Sequence, residues 1–489
     1  MTAAPVQRRA RELREAAIHR LGDEVDELVM SHYERRLERV GWHPALHADS
    51  IAWSSRAMPP TTGNGVEVLV DGAAMLPAVA EALQAAESHA HILGWYFTPE
   101  LDLTRDADPV VLRNVLADLA ERVDVRVLGW KGAPLPVFQP TRREVNRAFD
   151  RLTRGTRIRA CVDNCVRVTH CHHEKVIVID DRVAFVGGID LTLDGGDPFD
   201  TPRHRARGRI GWHDVAVRVE GPAVADLAQH FRLRWERVAE ERLPEPTRAG
   251  PAGGVELQVV RTIPEHVYSD LEEGEFSILE SYTGALRSAE KLVYLENQFL
   301  WSPEITAILT DKLRDPPSDD FRVVVLLPAK PNDGVDVSRG QIAALIRADD
   351  GNARFLASTV YARHGALRDL VYVHAKVGIV DDRWITIGSA NLNEHSLYSD
   401  SEVNVVAHDP ELARATRLRL WAEHLEADAS EIDGDPTAVV DERWHPVAHE
   451  QLERIQAGSP LTHRVVKLPG VSHRRARLWG SLQGRVFDV

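Results

Sequence analysis

The feature that most constrains this chain is a repeat. HHEKVIVIDDRVAFVGGIDL, from His172, is answered by VHAKVGIVDDRWITIGSANL, from Val373. His173 aligns with His374, Lys175 with Lys376, Asp180 with Asp381 and Gly187 with Gly388, all 201 residues apart. ALQAAESHAHILGWYFTPEL, from Ala82, is answered 203 residues later by ALRSAEKLVYLENQFLWSPEI, from Ala285. DVAVRVEGPAVADL, from Asp214, is answered after 188 residues by EVNVVAHDPELARA, from Glu402, so the first copy holds thirteen extra residues between Gly188 and Asp214. Ordered matches at nearly constant separation mean one unit used twice.

Within each copy, apolar runs such as VRVLGW, VIVID, VVVLL and WITIG alternate with helical stretches such as MLPAVAEALQAAE and AVADLAQHFRLRWERVAE. That pattern predicts an α/β fold, with a mixed or parallel sheet between helices. The predicted organisation is an N-terminal helical extension (1–58), a first repeat (59–246), a linker (247–256), a second repeat (257–445) and a basic tail (446–489). In the first 45 residues, Leu13, Ala16, Leu21, Val25, Leu28, Leu37 and Val40 recur at helical spacing among eight arginines and eight acids. PPTTGNG (59–65) reads as a turn-rich boundary. From residue 461 the tail carries six Lys/Arg and one Asp, with Leu478 and Trp479 as its large apolar groups. Its Pro and Gly residues break any long amphipathic helix, so packing on the body is favoured over lying on a bilayer.

The formal net charge of -15 argues against non-specific nucleic-acid binding. No run approaches the roughly 20 apolar residues of a membrane span, and the N-terminus lacks an apolar signal core. Cys161, Cys165 and Cys171 are too few, odd in number and too clustered for a disulfide framework. Together these predict a cytoplasmic protein, compatible with peripheral contact at the inner membrane surface.

Only His173 and Lys175 of the crowded HCHHEK stretch recur in the second copy; His170, Cys171 and His172 do not. On a strand, His173 and Lys175 share a face, so each copy offers one imidazole beside one ammonium. Two lysines can hold an anion, and two imidazoles can divide nucleophilic and acid–base work on a phosphodiester. An attacking histidine needs its other nitrogen held by an acceptor, and Asp214 and Glu402 recur where they can supply one. The irregular spacing C-x3-C-x5-C makes a zinc cluster the weaker reading, with a polar rim beside the site preferred. Neither a metal nor any other cofactor is expected. Trp212 and Trp301 lie near these segments.

HxKxxxxD, six residues and then GG or GS, present twice, resembles the phospholipase D superfamily. LENQF (295–299) and WHDVAVRVEGPAVADLAQHFRLRWE (212–236) are similar to further segments of its lipid-active members. The likeness spans about residues 64 to 430. It implies two tandem α/β/α sandwich repeats about a pseudo-two-fold axis. It implies His173 as nucleophile, His374 as general acid, Lys175 and Lys376 as phosphate ligands, and Asp214 and Glu402 as histidine-orienting acids. Asn391 and Ser389 fall at substrate-binding positions. The first copy has Asp190 where the second has Asn391, a departure from the pattern. Asp180, Asp381, Gly187, Gly188 and Gly388 are read as structural. The implied substrate is a glycerophospholipid and the acceptor is water or an alcohol. Phosphatidyl transfer, as in cardiolipin synthesis, and nuclease or other phosphodiesterase activity are the alternatives within the superfamily.

Overall fold

The computed structural model describes residues 27–133, 139–164, 170–193, 211–330, 335–364 and 367–470. Leu13, Ala16, Leu21, Val25, Cys165, Leu478 and Trp479 lie outside them, as does most of the thirteen-residue excess of the first copy.

The first repeat contains β1 (Thr61–Val70), β2 (His89–Gly94), β3 (Asp124–Trp130), β4 (Arg159–Asp163), β5 (Val176–Ile179), β6 (Val183–Gly187), β7 (Gly211–His213) and β8 (Val215–Glu220). The second contains β9 (Val255–Ile263), β10 (Glu275–Phe276), β11 (Leu292–Glu296), β12 (Arg322–Leu326), β13 (Phe355–His364), β14 (Leu367–Val373), β15 (Val377–Val380), β16 (Trp384–Gly388) and β17 (Glu402–Ala407). A short β18 (Val465–Lys467) adds to β13.

Hydrogen bonding orders the first sheet β4-β3-β2-β5-β6-β8-β1. The second runs β13-β12-β11-β15-β16-β17-β9, the same order strand for strand. In each, three parallel strands meet an antiparallel set, so the α/β sheet is mixed. The equivalent edge strands β1 and β9 pair antiparallel with each other, as the self-matching contact of a two-fold requires.

The central strands explain their plain apolar sequence. Val176 and Val178 face a core shared by both repeats, whereas Ile177 and Ile179 face the outer helices of the first. In the second repeat Val377 and Ile379 enter the same shared core and Val380 faces outward. A strand buried on both faces has no polar side to alternate. The outer layer of the first sheet is α1 (Asp71–Gln84), α2 (Leu112–Leu119) and α3 (Arg142–Thr153). That of the second is α5 (Ser277–Ser288), α6 (Pro303–Arg314) and α7 (Val335–Asp349). α4 (Val224–Ala239) and α8 (Pro410–Leu425) close the shared core with Trp235 and Trp421, both fully buried.

Two expectations change. PPTTGNG is not a free turn: Thr61 to Gly65 belong to β1, with an irregular register between Thr61 and Asn64. Gly63 takes φ +89°, and the Asn64 amide supplies the hydrogen bonds that the bulge displaces, donating to Thr61 O and accepting from Ala223 N–H. In the extension, residues 27–39 are helical, but the buried face is Val29, Tyr33 and Leu37, while Leu28 is 68% exposed.

Candidate active site

Each Asp-Asp pair forms the centre of a tight turn in a three-residue hairpin loop, with φ near +55° at Asp180, Asp181, Asp381 and Asp382 and the turn closed by Arg182 N–H on Ile179 O or Arg383 N–H on Val380 O. The Asp180 carboxylate then accepts from the backbone N–H of Glu87, Ser88 and His89 at 2.7–2.9 Å. Asp381 does the same for Glu290, Lys291 and Leu292. The motif aspartates therefore tie β5 to β2 and β15 to β11, away from the histidines.

The regular strands begin only at Val176 and Val377, so His173, Lys175, His374 and Lys376 sit in extended segments just before the ladder, not within it as the alternation argument assumed. What aligns those segments is the other repeat. His173 N–H donates to Ser401 O at 2.9 Å, and His374 N–H donates to His213 O at 2.8 Å. β14 runs parallel to β7, with Val373 opposite His213. Each motif is thus laid against the residue preceding the other repeat's acid.

The acids cross over accordingly. His173 Nδ1 is 2.9 Å from Glu402 Oε1, and His374 Nδ1 is 2.7 Å from Asp214 Oδ2. Glu402 is held by the hydroxyls of Ser396 (2.5 Å) and Ser389. Ser389, read at a substrate-binding position, is fully buried with its hydroxyl donating to Glu402. Asp214 accepts from Val215 N–H at 2.8 Å and lies against Gly188, where a Cβ would come within 2.1 Å of Oδ1. Gly388 is likewise closed to any side chain by Asn404, and Gly187 by Ala216. The glycines are there for close approach.

With Nδ1 of both rings fixed by carboxylates, Nε2 of each is the atom left for chemistry. Burial, and then the Lys376 ammonium, pushes His374 down to about 3, against the pull of Asp214; Lys175 of the other repeat contributes in the same direction. The cross-repeat backbone bonds at His173 and His374 set the two motifs side by side. Burial works to raise Asp214, but His374 beside it holds the carboxyl below its ordinary value.

The lysines differ. Lys175 Nζ donates to His173 O at 2.6 Å and lies 3.4 Å from Asp190 Oδ2. Lys376 Nζ donates to His374 O and, at 3.3 Å, to the Gln298 amide oxygen, whose nitrogen donates to Tyr372 OH. Asn391 is buried and its Oδ1 has no hydrogen-bond partner among the described residues. Trp212 leans on the His374 ring at 4.5 Å and Trp95 on His173 at 6.4 Å. Trp301 is a packing residue that donates to Ser338.

His172 is fully buried rather than on a rim. Its Nδ1 meets Ser401 Oγ at 2.9 Å and its Nε2 lies 3.0 Å from Asp163, which Arg234 joins to Glu174. Cys171 packs with Trp130 and Ala133, and Cys161 is a free, half-buried thiol. Sequence reasoning passed over His213. It is clamped between Asp71 Oδ1 (3.1 Å) and Glu296 Oε2 (2.8 Å), and Glu296 also takes His424. Burial opposes the charge, but Glu296 and Asp71 raise His213 well above the usual imidazole value. Its direct neighbour Asp214 was the available signal.

Residues 282–422 match the family model described as cardiolipin synthase, PLD-like domain. The chain is 26% identical to phospholipase D A of Dictyostelium discoideum, over 74% of this chain and 35% of that protein. It is 27% identical to phospholipase D2 of Bos taurus, over 72% and 50%. The chain thus spans a third to a half of the length of these relatives. A crystal structure of phosphatidylserine synthase from Haemophilus influenzae superposes with TM-score 0.49 and 13% identity, over 80% of this chain and 93% of that one. In its second repeat by the family model, and over about three quarters of its length by these relatives, the chain is similar to the phospholipase D superfamily. Among the described residues no helix is long and apolar enough to cross a membrane.

Proposed function

We propose that the chain is a phospholipase D-type phosphodiesterase acting on glycerophospholipids through a phosphohistidine. The observation that carries this reading is the crossed pairing of two imidazoles with two buried carboxylates beside two lysines. His173 Nε2 attacks phosphorus and the bond to the head-group oxygen breaks. His374 gives that oxygen its proton, then takes one from the incoming water or alcohol, which displaces His173. Lys175, Lys376 and the Asn391 amide hold the phosphoryl oxygens. The lysines that push His374 down in the empty pocket are offset by the diester's own negative charge, so substrate raises the acid as it binds.

A phosphatidyltransferase such as cardiolipin synthase is the second reading, favoured by the family description matched over 282–422. The two share the first half-reaction and differ in the acceptor. The net charge of -15 disfavours a nuclease. A cytoplasmic enzyme touching the bilayer peripherally fits a lipid substrate.

The test is a product profile from mixed phospholipids with and without glycerol or phosphatidylglycerol. Released head group with phosphatidic acid supports the hydrolase. A shift to transphosphatidylated product supports the transferase. A phosphoenzyme that never forms, with no head group released from any phospholipid, would falsify both.

A further inference from the structure

Beside the catalytic histidines, the two repeats bring together a second group of donor atoms. His170 Nδ1 is 3.4 Å from His395 Nδ1 and 3.6 Å from Asp400 Oδ1, and His395 Nδ1 is 4.0 Å from Asp400 Oδ2. The three come from two places in the chain. His170 lies just ahead of the first motif. His395 and Asp400 are the ends of a single π turn, His395–Ser399, closed by Asp400 N–H donating to His395 O at 2.8 Å. The wide π turn stacks residue i on residue i+5, which an ordinary helix would carry round to another face. Asp400 is held in place by Cys171 N–H at 2.8 Å. The turn is braced from outside by Tyr33 stacked on Tyr398 at 4.0 Å and by Arg36 donating to Ser399.

We propose that His170, His395 and Asp400 form a divalent transition-metal site, with zinc the best fit, that clamps the two repeats together. Two imidazoles and one carboxylate are a borderline-soft set suited to zinc, with a fourth position left to solvent. Zinc-to-nitrogen bonds of about 2.0–2.1 Å at tetrahedral angles put neighbouring ligand atoms about 3.3 Å apart. With one atom from each residue the three donors lie within 4.8 Å of one another, the closest pair being the two imidazole nitrogens at 3.4 Å, so small side-chain rotations close the set on a metal. His395 and Asp400 are nearly fully buried, while the His170 side chain is 14% exposed, so the site has a wall and an entrance. Occupancy would tie the segment before His173 to the segment before Glu402, the acid that orients it. This site plays no part in the phosphodiester chemistry assigned above.

The full chain, stripped with EDTA and desalted, is titrated with Zn²⁺ by calorimetry and with Co²⁺ by visible absorption. One equivalent bound, a tetrahedral nitrogen/oxygen cobalt spectrum without thiolate charge transfer, and a zinc-dependent rise in unfolding temperature are expected. His170→Ala, at the entrance, and His395→Gln should each weaken zinc by at least the roughly 10- to 100-fold that follows loss of a supporting group. Among the competing donor groups, which also include two around buried His213, the surface trio Glu34, His43 and His47 is the most exposed, so His43→Ala with His47→Ala should leave the equivalent bound. No stoichiometric uptake by the folded wild type, uptake that survives both His170→Ala and His395→Gln, or uptake lost only with His43 and His47, overturns the proposal. Head-group release measured in EDTA keeps the two readings apart. Turnover without metal leaves both standing. Zinc binding without turnover strikes the phosphodiesterase alone.

Discussion

The two repeats carry the same motif in different electrostatic settings. In the first, the lysine faces a carboxylate, Lys175 to Asp190 at 3.4 Å, and the His173 side chain is 15% exposed. In the second, the lysine faces an amide, Lys376 to Gln298 at 3.3 Å, and the His374 side chain is 9% exposed. A charge opposite an acid is partly offset; a charge opposite an amide acts more fully on its neighbours. After burial, the second lysine is the leading cause of the lowered His374, which is down to about 3. Duplication supplied two identical sets of groups, and the residues around them make the halves unequal.

The largest expected effect follows from that inequality. His173→Ala should abolish turnover and phosphoenzyme with every substrate. His374→Ala should lose roughly 10²- to 10⁴-fold with a natural head group, since the missing proton donor is worth that much. It should recover part of this with a p-nitrophenyl ester, whose leaving group needs no proton. Rescue of His173→Ala instead would reverse the roles, and identical behaviour would end the division of labour.

Next in size is the crossover. Glu402→Gln should behave as a weakened His173 variant, slowing phosphoenzyme formation with both natural and activated esters. Asp214→Asn should behave as a weakened His374 variant, rescued by the activated ester. Losses of up to about 10⁴-fold are known when an acid that fixes a histidine tautomer is made neutral. Phenotypes that follow the repeats rather than the crossed pairs would break the assignment.

The crossover also marks where the sequence stopped being legible. The repeat, its apolar strands, the structural aspartates and the two histidines, two lysines and two acids of the site were all readable, because each is a short pattern in the sequence. Which acid serves which histidine was not, since those contacts join residues 229 and 160 apart. The same holds for His172, whose burial depends on Asp163 and Ser401, and for Ser389, whose hydroxyl is taken by Glu402. His213 has no marker of its own; its importance lies in the two carboxylates that meet it and in the carbonyl it offers His374.

A smaller effect comes from making the second lysine resemble the first. Gln298→Glu would set a carboxylate beside Lys376, as Asp190 stands beside Lys175. The ammonium then lowers His374 less, and the imidazole pKa should rise, read by NMR titration of the ring. An unchanged or lower value would mean that burial alone governs His374.

The smallest effect concerns Asp190, where two influences oppose each other. The Lys175 ammonium and His173 favour the carboxylate, but burial outweighs them and raises Asp190 above its ordinary value of 3.8. A raised acid takes up a proton on folding in the window that starts at the unfolded value. Its stabilising contribution is complete below 3.8 and is lost as pH climbs through the folded pKa. Asn at this position has nothing to titrate, so Asp190→Asn should gain on the wild type as pH rises from 4 to 7, seen as a widening gap between urea midpoints. If the gap stays constant or reverses, the Lys175–Asp190 contact is a net stabilising ion pair. The first half would then hold a neutralised lysine because the pair is strong, not because an acid is trapped there by burial, and the contrast with Lys376 would have to be rebuilt on that footing.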